Sequence, residues 1–326
     1  MEKLLEVKDL RIRFRSDFGV KEVTDGISFS LAENEALGLV GESGCGKSVT
    51  AMSLMGLLSK NGSVGENSSA IFDGKDLFQL SEAELDELRG SSICMIYQDS
   101  LSSLNPVLTI GSQMIEAICR HREPDKEQAK ELAITYMKQA GLSDPEKLLK
   151  KYPHQLSGGM RQRVMIAMAL SCSPKLLLAD EPTTALDVTI QAQIMDTIRE
   201  IRRNREMAMI LITHDIGLIA EMVGRVIVMY AGQIVEETDV YELFANPLHP
   251  YTKALLAATP GIYDDPEHRL ASIPGAVPEN YTDIHTCRFY ERCSFACEAC
   301  KVHQELREVR PSHVVRCMRS QEVAHG

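Results

Sequence analysis

The stretch "GESGCGKS", Gly41 to Ser48, restricts the fold of this chain more than any other. It follows the compact apolar run Leu37–Val40 and precedes "SVTAMSLMGLL", which reads as a helix. A strand that ends in a glycine-rich loop and hands over to a helix turns several backbone N–H groups toward one point. The helix N-terminus adds its positive dipole end there, so the loop is suited to phosphate oxygens. In this reading Gly41, Glu42, Ser43, Gly44, Cys45, Gly46, Lys47, Ser48 and Val49 form a nucleotide cradle for ATP or GTP. Lys47 reaches the β and γ phosphates, and Ser48 ligates Mg²⁺. Cys45 stands where a small residue is common and reads as a tolerated substitution, with sensitivity to oxidation as the alternative.

Two further apolar runs, "PKLLLADEP" and "MAMILITHD", each end in charged residues. They read as buried parallel strands that deliver catalytic groups at their C-terminal ends. Asp180 is placed to hold Mg²⁺ through its water shell, and Glu181 to polarise an attacking water. Around them, "LLEVKDLRIRF" and "GISFSLAENEALGLVG" alternate apolar and polar residues, with a turn at Ala32–Asn34. "AIFDGKDL" adds a strand with an Asp73–Gly74 turn, and "RVIVMYAGQIVE" reads as a hairpin. From about Asn105 to Leu170 the pattern is helical; Leu132, Tyr136 and Ala140 share a face, and Gly141 is a C-cap.

The 326 residues leave room for one large domain and an appendage. A net charge of -11 argues against a general nucleic-acid binder. "MEKLLEVKDLRIRF" is charged throughout, unlike a secretory leader, and no run approaches the roughly 18 apolar residues of a membrane span. These features point to the cytoplasm. Five of the nine cysteines lie between Cys287 and Cys317, and such clustering points to metal or redox chemistry rather than to disulfides.

In "HQLSGGMRQRVMIAMAL", Ser157, Gly158 and Gly159 precede another helix, whose exposed amides are fit to grip a γ-phosphate. One nucleotide does not need two cradles from one chain, so this one serves a nucleotide held by a second subunit. Here the sequence resembles the ATPase subunits of ABC transporters, with LSGGM at Met160 where their signature reads LSGGQ. The resemblance implies an α/β P-loop fold with a RecA-like parallel-sheet core, an N-terminal antiparallel β subdomain and a helical signature subdomain at about residues 99–165. It implies an ATPase domain over residues 1–250, a family-specific helix and Pro-rich linker over 251–286, and a Cys-rich extension over 287–326. Gln98 in "YQDSLSSLNP" matches the Q-loop, which senses Mg²⁺ and touches the membrane subunits. Asp187 matches the D-loop, and His214 the switch histidine that contacts the γ-phosphate. Phe14 matches the aromatic that stacks on adenine, with Phe18 as its rival. Two such subunits would close head to tail over ATP, with Glu181 and His214 supporting hydrolysis at this chain's own loop.

"SLSSLNPVLTIGSQMIEAI", "DEPTTALDVTIQAQIM" and "NPLHPYTKALLAATP" narrow the resemblance to the dipeptide/oligopeptide importer ATPases, whose relatives include nickel importers. That implies a second, different ATPase subunit, two membrane permeases and an external substrate-binding protein, at the cytoplasmic face of the inner membrane. Nickel or another solute remains the alternative cargo, and a soluble ABC ATPase outside transport the alternative role. In that family the extension carries four cysteines spaced like Cys287, Cys293, Cys300 and Cys317, which implies a 4Fe–4S cluster. Cys297 falls outside the pattern and leaves open a zinc site of Cys293, Cys297, Cys300 and Cys317. A staple for a loop-rich tail is the expected role, and an oxygen or iron sensor the alternative.

Overall fold

The computed structural model describes residues 2–17, 19–98, 103–122, 125–183, 187–259, 272–278, 280–281 and 284–325. In chain order the strands are β1 (Lys3–Ser16), β2 (Gly19–Ala32), β3 (Ala36–Val40), β4 (Gly62–Val64), β5 (Ser69–Phe72), β6 (Lys75–Asp76) and β7 (Ile93–Ile96). They continue with β8 (Leu176–Asp180), β9 (Ala208–Thr213), β10 (Arg225–Tyr230), β11 (Gln233–Asp239), β12 (Arg307–Arg310) and β13 (His313–Val315). Two compact units emerge. One is Met1–Glu2, Ala32–Glu35 and Leu80–Ile210; the other is Lys3–Leu31, Ala36–Gln79 and Leu211–Gly326.

The second unit holds an antiparallel sheet of order β2-β1-β5-β6, with β4 on β1. Along β1 the buried residues are Leu4, Leu5 and Val7, then Leu10 and Ile12. Period-two alternation slips by one residue at Asp9, whose φ of 44° is left-handed, as at a bulge. The β5–β6 turn has both central residues left-handed, Asp73 at 48° and Gly74 at 80°. That geometry matches strand twist and explains why Asp-Gly was readable as a turn. Ala231 at 44° and Gly232 at 80° repeat it between β10 and β11.

A second sheet in this unit runs β12-β13-β11-β10-β3. β3 pairs parallel to β10, and every residue of β3 is buried, as expected for a strand covered on both faces. The C-terminal extension joins the sheet: β13 pairs antiparallel with β11, Glu236 opposite Val315 and Glu237 opposite Val314. The sequence pattern offered only loops there.

In the first unit β7 and β8 are parallel neighbours, Ile93 opposite Leu176 through Ile96 opposite Ala179. Helix Gly158–Ser171 packs on β7, and helices Ile110–His121 and Lys126–Gln139 pack on it and on each other, all three with capped N-termini. Thr109 accepts from the Ser112 N–H, and Asp125 from those of Glu127 and Gln128. The buried face of Lys126–Gln139 is Ala129, Ala133, Tyr136 and Met137. Leu132, expected on that face, is only half-buried, while Tyr136 and Ala140 are buried as expected. The small alanines let the neighbouring helices approach closely, so packing rotated the face away from the larger Leu132. Gly141, at φ 72°, follows the Ala140 cap in the left-handed position that ends helices.

Candidate active site

In the second unit β3 delivers the chain into Gly41–Gly46, and the helix Lys47–Leu54 begins directly after it. Three glycines give the loop its shape: Gly41, Gly44 and Gly46 take φ of 149°, 80° and 106°. A Cβ on Gly41 would lie 2.1 Å from the Met229 carbonyl oxygen, so only glycine fits against that strand. Lys47 is buried, and its Nζ lies 2.7 Å from the Gly41 carbonyl and 3.0 Å from that of Glu42. The ammonium is therefore held along the inner curve of the loop. Cys45 is wholly buried, with Sγ 3.6 Å from Lys47 Nζ. Burial pushes its thiol up, against the pull of Lys47, which keeps it protonated and unreactive. Val49 is half-buried and Ser43 exposed on the same segment.

His214, also in this unit, is exposed where β9 ends. Asp215 caps the following helix by accepting from the Leu218 N–H at 3.1 Å. Phe14 is half-buried on β1, opposite Gly62 of β4. A Cβ on Gly62 would meet its ring at 2.8 Å, so the ring lies across that glycine. Phe18 lies outside the described residues.

The first unit brings Gln98 and Glu181 together, although 83 positions separate them: Gln98 Nε2 donates to Glu181 Oε2 at 2.8 Å. Asp180 is buried at the end of β8, and the next residue, Glu181, sits half-exposed. Glu181 holds a φ of 45°, a left-handed conformation of order 1 kcal/mol or more above the usual regions for such a side chain. Gln162, unnoticed in the sequence, is buried on the signature helix and donates to the Pro182 carbonyl at 2.5 Å. It ties that helix to the acidic turn. Its only sequence signal was a polar residue on a face that turns inward.

The signature residues are at the surface. Ser157 and Gly158 are exposed, and Ser157 Oγ accepts from the Met160 N–H at 3.3 Å, capping its own helix. Asp187 likewise caps Val188–Arg205, accepting from the Ile190 N–H at 3.1 Å. Met160 enters this cap through its backbone alone, so the exchange for glutamine leaves the cap intact.

Cys287, Cys293, Cys300 and Cys317 line one small cavity, together with Phe289 and Phe295. Cys297 is not on its wall; its Sγ lies 3.6 Å from that of Cys300, which lowers the Cys297 thiol. Burial pushes Cys293 up to about 11 and Cys317 up to about 12. Among the described residues, no group of three or more His, Cys, Asp or Glu side chains is arranged to hold a metal ion. Among the described residues, no helix is long and apolar enough to cross a membrane.

Residues 24–184 match the family ABC transporter, and residues 235–300 match the family Oligopeptide/dipeptide transporter, C-terminal region. A probable peptide ABC transporter ATP-binding protein of Sinorhizobium fredii is 47% identical over 99% of this chain and 96% of its own length. The dipeptide transport ATP-binding protein DppD of Escherichia coli is 48% identical over 92% of this chain and 91% of its own. The oligopeptide transport ATP-binding protein AppD of Bacillus subtilis is 44% identical over 99% and 98%. Among solved structures, the ATP-binding cassette MJ0796 bound to ADP and Pi superposes with a TM-score of 0.65 at 25% identity. That match covers 72% of this chain and 98% of the cassette. The phosphate loop, the acidic strand end and these likenesses agree: the chain belongs to the ABC transporter ATPases, among the ATP-binding subunits of the dipeptide/oligopeptide transporter family.

Proposed function

We propose that this chain hydrolyses ATP to drive peptide import, paired with a second ATPase subunit. It would work with two permeases and an external substrate-binding protein at the cytoplasmic face of the membrane. The observation that carries the catalytic part is the Gln98–Glu181 contact at the end of β8. Glu181 would accept a proton from the attacking water, and Gln98 would hold its carboxylate in line. Asp180, Ser48 and Gln98 would serve Mg²⁺, and Lys47 the β and γ phosphates. His214 would meet the γ-phosphate. Ser157, Gly158 and Gly159 would face the nucleotide of the second subunit, with Asp187 beside that junction; the exposure of Ser157, Gly158 and Asp187 supports this. Peptide as cargo is supported by what the similar proteins of Sinorhizobium, Escherichia and Bacillus are named for.

The same proposal includes a 4Fe–4S cluster held by Cys287, Cys293, Cys300 and Cys317. Its support is the shared cavity wall, from which Cys297 is absent. One zinc ion needs all four sulfurs about 2.3 Å from a single point, whereas each thiolate of a cluster meets a different iron corner. Cys297, which the zinc alternative requires, is off that wall, and this favours the cluster. When bound, the cluster would cross-link the extension, and the chain's own contribution is to hold four thiols in an apolar shell.

Glu181→Gln keeps the shape of the side chain and removes the base. We expect ATP binding within about threefold of wild type and turnover lowered by at least 10²-fold, the range for a lost general base. Undiminished hydrolysis in that variant would remove Glu181 from this role.

A further inference from the structure

The second residue of the phosphate loop is held from the far end of the sequence. The Glu42 N–H donates to the Tyr251 hydroxyl at 2.8 Å. Its carboxylate takes both arms of the Arg292 guanidinium: Nη1 to Oε2 at 2.7 Å and Nη2 to Oε1 at 3.0 Å. The Arg292 side chain is 5% exposed and that of Glu42 29%. Arg292 is fully committed. Its Nε donates to the Pro274 carbonyl at 2.8 Å, and its remaining N–H groups point to the Tyr230 hydroxyl at 3.3 Å and the Ile273 carbonyl at 3.5 Å. The guanidinium also lies over the rings of Tyr230 and Phe289, 5.7 and 5.9 Å from their centroids. Tyr230, Tyr251 and Phe289 form one aromatic cluster, with centroids 4.7 to 5.4 Å apart. A buried fork with every donor directed at an acceptor is a rigid clamp, and lysine cannot reproduce it.

Both effects of this clamp favour a phosphate ligand. Glu42 puts a negative charge in a loop whose other groups, the inward amides and Lys47, are arranged for anions. Arg292 cancels that charge and fixes where the carboxylate points. Resting on the assignment of Gly41–Ser48 to ATP, we propose that Arg292 is a positioning residue for the nucleotide. The segment that bears the cysteines is therefore part of the ATP site, and its anchoring sets nucleotide affinity.

The test is ATP binding by titration calorimetry on the full chain, with melting temperature and steady-state kinetics on the same preparations. Wild type should bind ATP and Lys47→Ala should not; binding unaffected by Lys47→Ala would overturn the ATP assignment and this proposal with it. Arg292→Gln should weaken ATP by about tenfold, within the usual 5–150-fold span of coupling between sites. It should raise KM for ATP while leaving kcat within threefold. Adding Glu42→Gln to Arg292→Gln should restore much of the affinity, because the uncompensated charge is then gone. Arg292→Lys, which keeps the charge and is milder to folding, should fall between wild type and Arg292→Gln. Arg292→Gln or Arg292→Lys with wild-type ATP affinity would overturn the proposal. So would a loss that tracks melting temperature alone and is not relieved by the second substitution.

Discussion

Glu236 is the one carboxylate among the described residues with no exposed surface, and replacing it with glutamine is the sharpest stability test the fold offers. Its Oε1 accepts from the Leu248 N–H and from His313 Nε2, each at 2.7 Å, and its Oε2 accepts from the His249 N–H at 2.9 Å. Three donors thus converge on two oxygens. Glutamine has one oxygen and one NH₂ group. If its oxygen takes the Oε1 position, the NH₂ faces the His249 N–H; flipped, it faces Leu248 and His313. Either way at least one hydrogen bond to a charged acceptor is lost, about 1.5–3 kcal/mol, and one buried N–H is orphaned, about 1–3 kcal/mol. The expected loss is about 3 kcal/mol or more. At roughly 2 °C per kcal/mol for a chain of this size, the melting temperature should fall by about 6 °C. Because His313 is the first residue of β13, limited proteolysis should also release the C-terminal extension first. A melting temperature within 1 °C of wild type and unchanged proteolysis would refute the idea that a carboxylate gathers these three donors.

Gly41→Ala should abolish ATP binding and lower stability by about 2–4 kcal/mol, since its Cβ would sit 2.1 Å from a backbone carbonyl. Gly44→Ala, with nothing within 4 Å of the added carbon, should cost only about 1 kcal/mol of left-handed strain. Calorimetry and thermal melts would separate the two. His249 is held at about 4 by burial, and its Nδ1 accepts from the Tyr251 N–H at 3.1 Å. With the folded value below the ordinary 6.5, this contribution is full above about pH 6.5 and drains as pH falls toward 4, by up to about 3 kcal/mol. Denaturation at pH 7.5 and 5 should show that fall in wild type and a smaller one in His249→Gln. Iron, sulfide and zinc analysis of anaerobically purified protein should find iron and sulfide, kept in Cys297→Ser and lost in Cys293→Ser. Zinc without sulfide, lost in Cys297→Ser, would replace the cluster with a single-ion site.

The parts of the site that follow from local chemistry were legible in the sequence. A glycine loop between an apolar strand and a helix has few other uses, and Asp73–Gly74 can hardly be anything but a tight turn. Glu181 was legible from its strand end and Gln98 through the family resemblance, but their contact was not, because it joins distant positions. Arg292, Gln162 and the Glu236–His313 pair were not legible at all. Each is a common polar residue whose partner is chosen by tertiary packing, and nothing in its neighbours marks it. Leu132 shows the same limit on a helix: spacing defined a face, but small alanines at 129 and 133 decided which side packed.

The left-handed backbone at Glu181 also bears on how such sites are lost. A glycine there would relax the φ of 45° at no steric penalty, so the change that removes the proposed base should also make the turn more stable. Mutation at this position would carry no folding defect for quality control to detect. Descendants with an intact, well-folded but idle cassette are therefore easy to reach, and only selection on turnover keeps a charged side chain in that turn.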